Sequence, residues 1–383
     1  MYTNTSDLLV GTEGDLCGSS NASGGLSEEK KEALNWIAYK IIGPTIVSIG
    51  LLGNVLNLIV LTRPSFKGVT YTYLIGLACS DIGVLLCAVA FMIRSLDLYP
   101  KDSWLVSIFY AHMELPLANT FMASSIFIVV CLTVDRFASV CMPTKFKSVH
   151  TSPIARTAIL VCYLLASIIS IPLVKLKKIC DTQSSDGYKV MEDITVTHLT
   201  IWNIYSIAAE VIVRFGPAVI LTVLNTMIIL RFRKISQKRR EMRQMSGGET
   251  LCRNEQFLLR GEKISKKIYK EEKRLVVLLM SIVLLFFVTT TPVAFLNIFY
   301  TEALDDNFSF QIFRAMANDL ELCNFALNFY IYFLCSKEFR KKFLSFFQFL
   351  IPYKAKGDFQ SITLPEISHA KTNLVNNKAV HNV

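Results

Sequence analysis

Seven long apolar blocks, at residues 41–62, 71–93, 108–134, 154–174, 201–230, 275–299 and 312–335, limit what this chain can become. Each reaches the length of about 20 residues at which a helix crosses the hydrocarbon core of a bilayer. In that medium every backbone N–H and C=O must be bonded inside the chain, so the blocks are expected as helices packed on one another. Composition agrees: mean hydropathy is +0.43, and 18% of residues are charged, against about 25% in a soluble domain. The expected fold is an all-α membrane protein, a seven-transmembrane helix bundle spanning 36–335. Blocks three and seven are the most polar and would be the first missed by a strict hydropathy threshold. Trp36, Tyr39, Trp104, Tyr110 and Trp202 sit near block ends, as interfacial aromatics do. Pro44, Pro116, Pro172, Pro217 and Pro292 lie inside blocks, which membrane helices tolerate when neighbours re-satisfy the freed carbonyls.

The segments between blocks give the orientation. The 231–274 loop carries fifteen basic and six acidic residues, and the tail from Lys337 carries eight and three, whereas 175–200 has four lysines and four acids. The positive-inside rule therefore puts the N-terminus outside and the C-terminus in the cytoplasm. The sequons at Asn4, Asn21 and Asn307 then all fall outside as candidate glycosylation sites. The net charge of +10 is explained by the inner face, so no nucleic-acid partner is needed. Residues 1–35 read as an outer tail. No basic stretch with a short apolar core opens them, so a cleavable signal peptide is not expected. Residues 336–350 alternate basic and aromatic side chains and read as an amphipathic helix on the inner leaflet. Residues 351–383 are polar and read as a disordered cytoplasmic tail.

Ionisable residues inside spans are costly and therefore candidates for function. Asp81 lies in mid-block two, Glu114 at the outer end of block three, and Asp319 and Glu321 in block seven. Glu210 and Arg214 are four apart on one helix face, where a structural pair and a ligand contact are equally open. The bland reading of the in-span asparagines is helix–helix glue. Block three runs uncharged from Leu115 and closes on Asp135-Arg136.

In order along the chain stand Gly53-Asn54, Leu77-Ala78-Cys79-Ser80-Asp81, Asp135-Arg136-Phe137, Pro172, Pro217, Pro292 and Asn328-Phe329-Tyr330-Ile331-Tyr332. Over roughly residues 36–350 this set resembles the rhodopsin-like class of G-protein-coupled receptors. Within the class, Glu114-Leu115-Pro116-Leu117-Ala118, the Pro217 to Asn225 stretch, and Asn324 to Phe329 are similar to invertebrate neuropeptide receptors of the FMRFamide type. There Phe commonly replaces the span-seven proline. Phe137, Thr290, Asn225 and the lack of a Trp in block four depart from the class pattern. So does Ala111, which stands where the class has the span-three cysteine of its disulfide. Cys180 fits the loop partner, leaving Cys17, Cys87, Cys323 or a free thiol open.

The resemblance implies a mechanism without enzymatic chemistry. Arg136, held by Asp135 and from span six by Glu272, is released when span six swings about Pro292. It then meets a heterotrimeric G protein while Tyr332 turns inward. Arrestin is a further implied partner. Asp81, Ser125, Asn324 and Asn328 match the class's allosteric sodium pocket; no other cofactor is expected. Glu114, Asn119, Phe121, Glu210, Arg214, Phe295, Asn297, Phe299 and Glu321 are the candidate ligand contacts. Their acidic groups suit a cationic extracellular peptide such as one ending Arg-Phe-amide. A rhodopsin-like receptor for a small molecule or odorant is the alternative. A transporter is disfavoured because no internal repeat is seen.

Overall fold

The computed structural model describes residues 26–64, 68–96, 98–142, 150–181, 187–245, 255–299 and 307–350. The outer-tail positions Asn4, Cys17 and Asn21, and the tail beyond 350, lie outside these. Six helices long and apolar enough to cross a membrane are Glu32–Leu61, Val69–Ser95, Trp104–Cys141, Ser152–Lys175, Thr200–Gln237 and Val276–Asn297. The seventh span is the more polar pair Phe308–Ala326 and Asn328–Cys335, broken at Leu327. The chain is thus an all-α seven-helix bundle. Span three is central and packs on spans two, four and five. The first, second and seventh spans, and then the fifth, sixth and seventh, complete the ring.

Two close approaches explain how the first span meets the seventh. A Cβ on Gly50 would stand 2.8 Å from the Ala326 side chain, and one on Gly53 3.0 Å from Phe329, so only glycine lets the helices come this near. Asn54 is fully buried there. Its Nδ2 donates to Phe325 O at 2.9 Å, a carbonyl stranded by the break at Leu327. The far end of the seventh span is capped by Arg340, whose Nη1 donates to Phe333 O and Leu334 O at 3.0 and 2.8 Å. Arg340 belongs to the helix Lys337–Leu350, which also seats Phe339 on Phe329 and Tyr332.

Proline sets the local winding of three spans. π-turns at Ile37–Ile42, Phe109–Met113 and Val211–Phe215 each end just ahead of Pro44, Pro116 and Pro217. Proline has no N–H, so it leaves one carbonyl without its i+4 donor. In each case a nearby preceding N–H reaches one residue further back: Gly43 to Ala38 O, Glu114 to Phe109 O and Gly216 to Val211 O. Pro172 instead lies in a 3₁₀ turn, Ile171–Lys175, and Pro292 sits inside the continuous helix Glu255–Phe299.

Between spans four and five, β1 (Lys177–Asp181) pairs antiparallel with β2 (Tyr188–Glu192), Lys177 opposite Glu192. The hairpin leans on the 2–3 loop. Tyr188 N–H donates to Lys101 O at 2.8 Å, and Trp104 meets the Tyr188 ring edge-on. Gly187 makes the approach possible: its φ is +74°, and a Cβ there would fall 2.5 Å from the Lys101 carbonyl.

Candidate functional site

Three groups of polar side chains are buried in the bundle, at three levels along it. At the hairpin end there are two ion clusters. In one, Glu114 is 3% exposed and its Oε2 accepts from Arg94 Nε at 2.8 Å and Lys177 Nζ at 3.0 Å. One carboxylate thus faces two cations. Desolvation pulls the Lys177 ammonium below its usual range, and the Glu114 charge opposes that pull. In the other cluster, Arg214 lies within the π-turn of span five. It donates to Glu210 Oε1 at 2.5 Å and to Glu321 Oε1 of span seven at 2.8 and 3.1 Å. Asn297 Nδ2 of span six donates to the same Glu210 oxygen at 2.9 Å. The guanidinium ties span five to span seven, Asn297 adds span six through Glu210, and the cluster has one acid in excess. Glu114 Oε1 and Glu210 Oε2 are buried with no hydrogen-bond partner, a state that costs about 1–3 kcal/mol or more for a charged group.

At mid-depth, Asp81 is fully buried. Ser125 Oγ donates to its Oδ1 at 2.8 Å and Asn328 Nδ2 to its Oδ2 at 2.6 Å. Asn324, one turn before Asn328, is buried too. Asn328 Oδ1, both polar atoms of the Asn57 amide and Tyr332 Oη are buried without partners. A carboxylate, a hydroxyl and an unpartnered amide oxygen form a donor set that fits a hard monovalent cation. Beside it, Ser80 links Tyr163 Oη at 2.6 Å to Ser124 at 3.2 Å, which joins spans two, three and four.

At the opposite end of span three, Arg136 is 7% exposed and donates through Nη2 and Nε to Asp135 Oδ2 at 2.5 and 3.1 Å. The other carboxylate oxygen, Oδ1, is 2.8 Å from His150 Nδ1. Asp135 therefore joins the span-three arginine to the segment that opens span four. Pro292 lies in span six as expected. Glu272 and Phe299 lie in the same helix, but their side chains are outside the described residues.

The structure brings most of the expected residues together but spreads others. Asn119 Nδ2 bonds Leu115 O of its own helix at 3.0 Å. The Phe121 ring lies against Gly83 and edge-on to Tyr163, on the side of spans two and four. Phe295 is half exposed. Asn307 is described: its Oδ1 caps the seventh span by accepting from Ser309 N–H at 2.9 Å, which leaves its Nδ2 unused by the cap. Cys180 is disulfide-bonded. Cys87 and Cys323 are free thiols, which removes both as its partner; Cys17 lies outside the described residues. Lys177, Arg94 and His150 complete these clusters and were not picked out as partners from sequence. The one local signal was the lysine run Lys175 to Lys178 ahead of Cys180.

The sequence profile described as "7 transmembrane receptor (rhodopsin family)" matches residues 53–336. Two probable G-protein coupled receptors of Caenorhabditis elegans are similar to the chain. One is 32% identical over 326 residues, covering 82% of this chain and 76% of the other. The second is 30% identical over 328 residues, covering 81% and 69%. The mouse galanin receptor type 3 is 28% identical over 153 residues, 38% of this chain and 40% of that one.

Proposed function

The chain belongs to the rhodopsin family of seven-transmembrane receptors, and we propose that it is the receptor for an extracellular cationic peptide, an amidated Arg-Phe type being the leading class. As a G-protein-coupled receptor it is a multi-pass membrane protein with an extracellular ligand and a heterotrimeric G protein as partners. The observation that carries the peptide reading is the pair of unpartnered carboxylate oxygens, Glu114 Oε1 and Glu210 Oε2, buried at the hairpin end. A guanidinium or a row of peptide N–H groups satisfies such oxygens with charge-assisted bonds. The excess acid in the Glu210–Arg214–Glu321 cluster favours a cation there, and Arg94 and Lys177 around Glu114 favour a carbonyl or carboxylate on the other side. A peptide offers both; a compact monocation does not. Similarity to a galanin receptor points the same way.

In this reading the hairpin end and N-terminus are extracellular, as the basic loops require. The ligand competes for the ties that Arg214 makes between spans five and seven. Span six then pivots at Pro292, Arg136 leaves Asp135 for the G protein, and Tyr332 turns into the opened space. Arrestin would follow at the same face. Sodium, where bound, is held by Asp81, Ser125 and the Asn328 and Asn324 amides. It favours the closed state by neutralising Asp81.

The test is a calcium readout in cells carrying the full chain and a promiscuous Gα, challenged with amidated peptides and with a small-molecule panel. A response to peptides that falls in Glu210→Gln and Glu321→Gln is expected. Peptides silent and small molecules active would overturn the reading.

A further inference from the structure

The third and fourth spans leave a gap where they face outward. A groove of about 610 Å³ opens there, with Phe127, Cys131, Ile154, Ala158, Cys162 and Leu165 among its walls. Ile154, Val161 and Leu165 in its wall are exposed and apolar, so in a bilayer the groove meets acyl chains rather than water. Small side chains at Ala158 and Cys162 leave the space. Two thiols meet in it. Cys131 Sγ and Cys162 Sγ are 3.7 Å apart, and both cysteines are free. Closing that separation to the bond length of about 2.05 Å takes less movement than one side-chain rotation.

We propose that Cys131 and Cys162 form a dithiol site that reduces a lipid hydroperoxide and becomes a disulfide tying span three to span four. The groove selects the oxidant: a hydroperoxide on an acyl chain reaches it, whereas aqueous oxidants are kept out by hydrocarbon. Cys131 is the more open of the two thiols; Cys162 is 4% exposed. The Cys131 sulfur therefore attacks the terminal peroxide oxygen. An S–O bond forms as the O–O bond breaks, and the thiol proton leaves with the lipid alcohol. The Cys162 sulfur then displaces the sulfenic hydroxyl. The S–S bond forms, the S–O bond breaks, and the Cys162 proton leaves in water. The two thiols lose two electrons and the hydroperoxide gains them. The new bond lies little more than a helical turn from Arg136 along span three, so it restrains the helix close to the charged switch.

The full chain in lipid nanodiscs, treated with cumene hydroperoxide or with hydrogen peroxide, then alkylated, digested and weighed, tests this. The expected result is joint loss of alkylation at Cys131 and Cys162, faster with cumene hydroperoxide. A joined peptide two hydrogens lighter than its parts, separable by reductant, should accompany it. Cys79, exposed on span two, should stay alkylatable. In Cys162→Ser, Cys131 should be trapped by dimedone as the sulfenic acid, with no joined peptide. Full alkylation of both thiols after treatment, or oxidation of Cys79 to the same extent with no joined peptide, overturns the proposal.

Discussion

Replacing Arg214 by Met tests whether the cluster between spans five, six and seven is a buried ionic tie. Met keeps much of the apolar stem and removes the guanidinium. Glu210 and Glu321 are each about one-eighth exposed (13%) and would lose the cation that both contact, at 2.5 and 2.8 Å. Removing one partner of a buried pair costs about 3–5 kcal/mol, largely because charge is left uncompensated. At a factor of ten per 1.4 kcal/mol, that raises the unfolding equilibrium constant by roughly two to three and a half powers of ten. The decisive comparison is the triple change Arg214→Met, Glu210→Gln, Glu321→Gln. It carries no stranded charge and should recover most of the loss, to within about 1–2 kcal/mol of the parent. The assay is folded receptor remaining after heating in detergent, followed by fluorescence-detected size exclusion across the three proteins. If the single change is as stable as the parent, or the triple is no better than the single, the carboxylates are solvated and the reasoning fails.

Asp135→Asn removes the negative charge that Arg136 and His150 both face and turns one of its two acceptor oxygens into an NH2 donor, and it should raise ligand-independent signalling several-fold; basal second-messenger output unchanged at equal surface expression would contradict the proposed latch. Asp81→Asn should abolish any dependence of agonist affinity on sodium, read by competition binding in sodium against choline salts; a retained sodium effect would place the ion elsewhere. Cys17→Ser should leave Cys180 open to alkylation without reductant, because Cys79, Cys87, Cys131, Cys141, Cys162, Cys323 and Cys335 are free and the remaining cysteine, Cys252, belongs to the basic loop that the charge pattern puts on the opposite face. A Cys180 still blocked in that variant would assign its partner otherwise.

The spans were legible because the bilayer imposes one length and one secondary structure on every apolar block. Even the polar seventh was found, since Asn324, Asn328 and Tyr332 interrupt a block that remains apolar on average. Asp81, Ser125 and Asn328 were legible as a set through the resemblance, and Glu210 with Arg214 through helix periodicity alone. What stayed hidden depends on contacts between distant segments. Lys177 finds Glu114 only because the hairpin folds over the bundle, and its strands carry no alternating apolar pattern to announce them. His150 finds Asp135 from fifteen positions further along the chain. Glu321 reaches Arg214 across the whole of span six. Phe121 follows Asn119 by two positions, about 200° around the helix, and so turns to Gly83 and Tyr163 when both were expected to face one ligand.

The three π-turns have a mechanical meaning. Each stores one residue more than the α-helix on either side needs, and one residue is worth about 100° of rotation. Deleting a residue from Val211–Phe215 would return span five to plain α-helical winding. It would re-clock Glu210 relative to everything beyond Pro217, and the acid would swing away from Glu321 and Asn297. Spans one, three and five thus each carry a phase joint near the hairpin end. Side chains beyond the joint can be re-indexed by an insertion or deletion of one residue, while the half of span three that holds Ser125 and Arg136 keeps its facing.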